Sequence, residues 1–206
     1  MMLSAPSPYL SNLWSGRTVG LLGGSFNPAH EGHRHISLYA LKHLGLDAVW
    51  WMVSPQNPLK SGKDMAPLKE RMAGAVKASH HPRIVVTDIE RRLHTRYTAD
   101  TLEALQKHFP GTRFIWLMGG DNLRQVHRWQ GWKRIFSMVP VAVFDRPPRS
   151  NSIKACPAFE RFRASLQPQE RSQLLKMQKP PCWTILHIPL NELSATQIRE
   201  KRKLRR

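Results

Sequence analysis

The chain of 206 residues contains only two cysteines, Cys156 and Cys182. Two thiols make no disulfide framework in a chain of this length, and they lack the paired spacing of a structural zinc site, so a reducing, cytoplasmic setting is expected. Long apolar runs are missing as well: no stretch approaches the roughly 18 residues needed to span a membrane. Residues 1–13 lack the basic start and apolar block of a secretion signal. Acidic residues are scarce, with 14 Asp and Glu against 32 Lys and Arg, a formal charge of +18. That surplus attracts anions, whether nucleotide, nucleic acid, acidic lipid or acidic protein, without choosing among them. No internal repeat is present.

What is there suits one sizeable domain. Hydrophobic residues make up 41% of the chain, enough for a full core and too many for wholesale disorder. Sixteen prolines and twelve glycines predict many loops. Short apolar runs alternate with helical patterns, which predicts a single α/β domain: a doubly wound, mainly parallel sheet with flanking helices. Strands are expected at residues 18–22, 48–53, 84–86, 113–118, 139–144 and 184–188. Helices are expected at 32–44, with Ile36, Ala40, Leu41 and Leu44 on one face, at 68–79, with Leu68, Met72, Ala75 and Val76 on one stripe, at 98–108 and at 132–136. A further helix is expected to start near Ser194. Residues 146–169, rich in Pro, Ser and Arg, fit no element. A loosely ordered leader over 1–16 and a basic tail over 201–206 would flank the domain at 17–200.

The first strand leads into Gly23, Gly24, Ser25, Phe26 and Asn27, and then into His30 and His33 at the start of a helix. In a doubly wound sheet, ligands bind beyond the carboxyl ends of the strands. Glycines let the backbone approach a phosphate without Cβ interference, and a helix N-terminus offers N–H donors to an anion. His30 and His33 lie about one turn apart, so both imidazoles can point toward one phosphate chain. A surface pair, or a zinc pair joined by His35, is the competing use of these rings, but no cysteine or carboxylate nearby has suitable spacing. Neither the dinucleotide fingerprint Gly-x-Gly-x-x-Gly nor the P-loop pattern is present.

Residues 23–33, ending in His-Glu-Gly-His, resemble the signature of the nucleotidyltransferase superfamily with a His-x-Gly-His motif, and within it the bacterial nicotinate-nucleotide adenylyltransferases. The resemblance runs over residues 17–202. It implies a Rossmann-like fold, ATP with Mg²⁺, and nicotinate mononucleotide as the acceptor, with nicotinate adenine dinucleotide and pyrophosphate as products. Residues 193–199 are similar to the family's second signature, in which Ile-Ser-x-Thr-x-x-Arg opens a helix; Leu193 stands where Ile is usual. Ser194 can cap that helix, with Thr196 in its first turn and Arg199 one turn on, facing the same anion. Asn57 and Lys60 lie in a segment resembling the loop after the second strand, where Lys60 can approach phosphate. Tyr97 and Thr98 match a Tyr-Thr-x-x-Thr segment, which implies a hold on the nicotinate ring and its carboxylate. Gly119 and Asp121 match the family's Gly-x-Asp on the ATP side. Trp129 would stack on the pyridine ring, and Arg146 would support the acceptor.

The reaction the resemblance implies is in-line attack of an acceptor phosphate oxygen on the α-phosphorus of ATP. The nucleophile is already an anion at neutral pH, so no enzyme nucleophile is required; His30, His33, Lys60 and Arg199 would offset phosphate charge. Mg²⁺ would bridge the phosphates and keep several waters, so no dedicated protein metal site is expected. Two alternatives stand beside this reading. One is a related transferase with nicotinamide mononucleotide, phosphopantetheine or glycerol phosphate as acceptor. The other, disfavoured because no familiar RNA-binding aromatic motif appears, is a basic nucleic-acid-binding protein. Oligomeric state is left open by these features.

Overall fold

The computed structural model describes residues 5–55, 65–145 and 151–188. Among these residues seven strands form one sheet in the order β3-β2-β1-β4-β5-β7-β6. They are β1 (Thr18–Gly24), β2 (Ala48–Val53), β3 (Ile84–Thr87), β4 (Arg113–Gly119), β5 (Val141–Asp145), β6 (Leu166–Gln167) and β7 (Trp183–His187). Every pairing is parallel. A parallel sheet must be covered on both faces, and β2, Ala-Val-Trp-Trp-Met-Val, is buried at all six positions. The expected α/β architecture is therefore present, with a sheet that is parallel throughout.

Among the described residues eight helices connect and cover the strands: α1 (Glu31–His43), α2 (Leu68–Ser79), α3 (Ile89–Arg92), α4 (Thr98–His108), α5 (Gly120–Gln125), α6 (Trp132–Met138), α7 (Asn151–Lys154) and α8 (Pro157–Phe162). Two apolar cores result. Ala40 and Leu41 of α1, Leu44 at its C-cap, Ala75 of α2 and Leu175 cover one face, over Leu22, Val49, Trp51 and Val53. Helices α4, α5, α6 and α8 cover the other through Leu102, Leu123, Phe136 and Phe159, over Leu21, Trp50, Trp116 and Val143. Among the described residues no helix is long and apolar enough to cross a membrane.

The sheet departs from the expected segments in ways that have physical causes. β1 does not end in a turn at Gly23 and Gly24; it runs through them, paired with Met52 and Val53. A Cβ on Gly23 would lie 2.7 Å from the buried Trp116 indole, so the missing side chain at 23 is used for packing. β5 starts at Val141 instead of 139, because Pro140 has no N–H to give; its carbonyl instead accepts from Trp116 at 2.9 Å. In α2 the buried side is Arg71, Ala75 and Ser79, while Val76 is 58% exposed and leaves the expected stripe. The unassigned stretch holds α7, α8, a 3-10 turn (Arg163–Ser165) and the two-residue edge strand β6. The expectation of a loose leader does not extend to residues 11–16. Ser11–Trp14 is a 3-10 turn, Trp14 is buried edge-on against Trp50 at 4.8 Å, and Thr112 Oγ1 donates to the Trp14 carbonyl.

Between β3 and α4 the chain carries a dense set of charges. Burial alone would raise the Asp88 carboxyl, but hydrogen bonds from Arg91 and Arg92 at 2.6 to 2.8 Å outweigh it and hold it below the usual carboxylate range. Glu90 lies two residues on, buried, and desolvation pushes its carboxyl from 4.5 up to about 7.

Two predictions follow from this packing. Gly23→Ala should lower unfolding stability by about 1–3 kcal/mol through overpacking against Trp116. Gly74→Ala, in α2 with no heavy atom of the described residues within 4 Å of its Cβ position, should raise stability by up to about 1 kcal/mol. Urea unfolding of both variants checks this, and an unchanged Gly23→Ala midpoint would refute the close packing. For Glu90 the folded protein keeps a proton that the unfolded chain releases from about pH 4.5. The resulting stability is full below that pH and is lost as pH rises through about 7. Glu90→Gln should therefore gain on the parent between pH 5 and 8, by something on the order of 3 kcal/mol. Parallel stability–pH curves for the two proteins would contradict it.

Candidate active site

Because all strands are parallel, their carboxyl ends share one edge. The strand order reverses between β1 and β4, so the crevice for a ligand opens above these two. Beyond Gly24 the backbone leaves the sheet at Phe26, whose φ of 45° is in the left-handed region, and passes a cis Asn27–Pro28 peptide. What holds Phe26 there is its ring: 2% exposed, stacked on Trp51 at 5.1 Å and packed on His33 at 4.7 Å. The first turn of α1 is anchored beneath, since Ser37 Oγ donates to the His33 carbonyl (2.8 Å) and accepts from Trp51 Nε1 (2.7 Å).

Helix α1 is capped by its two histidines, where Ser or Asp is more usual. His30, in extended backbone at the N-cap, accepts the Gly32 N–H at Nδ1 (3.1 Å). His33 accepts the His30 N–H at Nδ1 (3.3 Å). The ring centroids are 4.0 Å apart. A neutral imidazole whose Nδ1 accepts carries its proton on Nε2, so this hydrogen-bond pattern makes each Nε2–H a donor. Both rings stand at the positive end of the helix dipole.

On the neighbouring strand, Gly119 ends β4 with no heavy atom of the described residues within 4 Å of its Cβ position, which leaves room beside it among them. Asp121 follows in the first turn of α5, paired with Arg124. Tyr97 and Thr98 stand where α4 begins: the Tyr97 carbonyl accepts from the Thr101 N–H (2.9 Å) and from Thr101 Oγ1 (3.1 Å). Trp129 is half-buried against the core, just before α6. Gly131, at φ 64°, lets that segment approach closely, since its Cβ would be 3.1 Å from the Ala99 Cβ. Arg134 then pairs with Asp100 and Glu103. The segments bearing Tyr97, Thr98 and Trp129 are thus held side by side.

The expected site residues divide into three sets. Gly23 and Gly24 end β1 and Ser25, His30 and His33 follow it, with Gly119 at the end of the adjacent strand and Asp121 just beyond in α5; the Phe26 ring points into the core, so only its backbone faces the bend. Tyr97, Thr98 and Trp129 form a second group. Asn57, Lys60, Arg146, Ser194, Thr196 and Arg199 lie outside the described residues, as do the helix expected near Ser194 and the tail.

Arg71 of α2 is a residue the sequence pattern did not point to. It is 3% exposed and donates to four backbone carbonyls at 2.7 to 3.0 Å, those of Ser25, Ser54, Pro55 and Ala66. Burial lowers its pKa from the ordinary guanidinium value. The available signal was a charge at helical spacing between Leu68, Met72 and Ala75, on a face otherwise apolar.

Residues 21–201 match the family described as "Cytidylyltransferase-like". A "Probable nicotinate-nucleotide adenylyltransferase" of Cereibacter sphaeroides is 48% identical, over 88% of this chain and 95% of the relative. One of Parvibaculum lavamentivorans is 50% identical, over 92% and 94%. Among solved structures, the "Plasmodium falciparum nicotinic acid mononucleotide adenylyltransferase complexed with NaAD" superposes with a TM-score of 0.63 at 14% identity, over 89% of this chain and 83% of that one, which shows a shared fold. A family match over most of the chain, joined to near-half identity along almost the whole length of these relatives, settles its membership: the chain belongs to the cytidylyltransferase-like family, among the nicotinate-nucleotide adenylyltransferases.

Proposed function

We propose that the protein transfers AMP from ATP to nicotinate mononucleotide, giving nicotinate adenine dinucleotide and pyrophosphate. The observation that carries this reading is the pair of imidazoles capping α1 at the sheet's switch point, both with Nδ1 engaged by backbone N–H groups. An acceptor phosphate oxygen attacks the α-phosphorus; a new P–O bond forms as the α–β bridge breaks, and pyrophosphate leaves with the bond's electron pair. Since the attacking oxygen is already anionic, the protein's task is to hold two anions in line and to supply donors where negative charge builds. His30 and His33 do this through Nε2–H, over Gly23, Gly24, Ser25 and the backbone at Phe26. Gly119 and Asp121 serve the ATP side of the same crevice, with Ser194, Thr196, Lys60 and Arg199 completing it. Tyr97, Thr98, Trp129, Asn57 and Arg146 take the acceptor.

Mg²⁺ would come with the nucleotide as part of the substrate and would neutralise phosphate charge. Among the described residues no group of three or more His, Cys, Asp or Glu could hold a metal ion, and imidazole Nε2–H donors suit phosphate oxygens. Cys156 and Cys182 are both free and buried, which fits a reducing cytoplasm.

His30→Ala should lower kcat by on the order of 10²–10³-fold, the loss typical of one donor to developing charge. Because His30 also caps α1, kcat is measured below the variant's unfolding transition. A change confined to KM would remove His30 from its role. Trp129→Ala should raise KM for the acceptor severalfold and leave KM for ATP within twofold, the asymmetry expected for loss of stacking with one substrate ring. Equal losses for both substrates would count against it. Turnover of nicotinate against nicotinamide mononucleotide by the unaltered protein tests the acceptor itself; preference for the amide would overturn the assignment.

A further inference from the structure

We propose that Arg71 is a positioning residue for this transfer, fixing the bend after β1 relative to the chain that follows β2. The inference rests on the function proposed above and deepens it. The β1–β2 ladder ends at Gly24 and Val53, with one last backbone bond from the Ser54 N–H to the Gly24 carbonyl at 3.0 Å. Past that point, the Arg71 guanidinium takes over from the ladder. Its Nη1 donates to Ser25 (2.7 Å) and to Ser54 (2.8 Å), so one nitrogen bridges the two strands' exits. Its Nη2 donates to Pro55 at 3.0 Å and its Nε to Ala66 at 2.8 Å, which gathers both ends of the connection from β2 to α2. Four of the five N–H donors of a planar fork are therefore spent on four carbonyls from three segments.

The consequence for the reaction lies in peptide geometry. A trans peptide is planar, with its N–H opposed to its C=O. The Ser25 carbonyl is drawn toward the buried guanidinium, so the Phe26 N–H of the same peptide is aimed the other way, out from the core. Arg71 thereby orients a backbone donor at the bend that leads to His30 and His33, without touching a substrate. Lysine keeps the charge but offers three donors from one tetrahedral nitrogen, and it cannot span the same four carbonyls.

The test compares Arg71→Lys and Arg71→Ala with the unaltered protein for thermal unfolding, ATP affinity by calorimetry, and kcat below the unfolding transition. Arg71→Lys should fold cooperatively, bind ATP about tenfold more weakly and lose about 10–100-fold in kcat, the scale expected for a displacement of about 1 Å in the site. Millimolar methylguanidinium should restore part of the kcat of Arg71→Ala without raising its unfolding temperature, a rescue that a purely structural role would not give. Normal ATP affinity and kcat in folded Arg71→Lys would overturn the proposal. So would failure of both variants to fold, which would assign Arg71 to the fold instead. Should the unaltered protein bind ATP yet transfer no AMP, the proposed function fails, while ATP affinity of the variants still decides the role of Arg71.

Discussion

The site depends on one buried ring. Phe26 must adopt a left-handed backbone for the chain to leave β1 and re-enter as α1 within a few residues, a conformation that a bulky residue adopts at a cost of about 1–3 kcal/mol. Its ring offsets that cost by filling a slot against Trp51 and His33, with burial typically contributing about 1.5–3 kcal/mol for such a side chain. The two magnitudes are close, so the bend is held by its surroundings as well as by the ring. Trp51 is itself fixed through Ser37 to the His33 carbonyl, which closes a loop from β2 to the first turn of α1 and back to Phe26. The geometry of the bend and the core packing beneath it are the same set of contacts here.

That coupling explains why histidine can serve as a helix cap in this position. A Ser or Asp cap would satisfy the backbone N–H groups equally well, but Asp would present only acceptor oxygens outward, and Ser carries its one donor on the atom that caps. Imidazole has two nitrogens across a rigid ring: Nδ1 closes the helix end, and Nε2–H is displaced to the far side. The cap fixes the tautomer, and the tautomer fixes the sign of the group offered to an anion. Trp116 acts on the opposite face, lying over Gly23 and leaving no space for even a methyl group between the sheet and the bend.

Much of this was legible in the sequence, for reasons that can be named. β2, α2 and α4 have the bounds expected of them, because a strand covered on both faces is continuously apolar and an amphipathic helix repeats near 3.6 residues. The motif after β1 was legible because it combines glycines, a proline and two histidines at fixed spacing. Arg71 and Val76 exchanged roles because hydropathy assigns valine inward and arginine outward. That rule takes no account of the carbonyls left where three strand and loop ends converge, and those carbonyls make a buried guanidinium favourable. The edge strand β6 escaped notice because two paired residues leave no period to detect. Trp14 was missed because what buries it, Trp50, lies on a distant strand.

The net charge takes on a narrower meaning once the site is drawn. Of the surplus cations, Arg91 and Arg92 are tied to Asp88, Arg134 to Asp100 and Glu103, and Arg71 to carbonyls, so these are spent on connecting elements. In the proposed function the anion-facing donors are neutral: backbone N–H groups and imidazole Nε2–H at the mouth of α1. A neutral donor fixed in place needs no reorganisation as charge moves from the α-phosphorus oxygens to the leaving pyrophosphate, whereas a flexible ammonium must follow it. The chemistry therefore calls for stiffness at the bend more than for positive charge, and the structure concentrates its stiffest contacts, Phe26 on Trp51 and Arg71 across the two strand exits, on that short stretch of backbone.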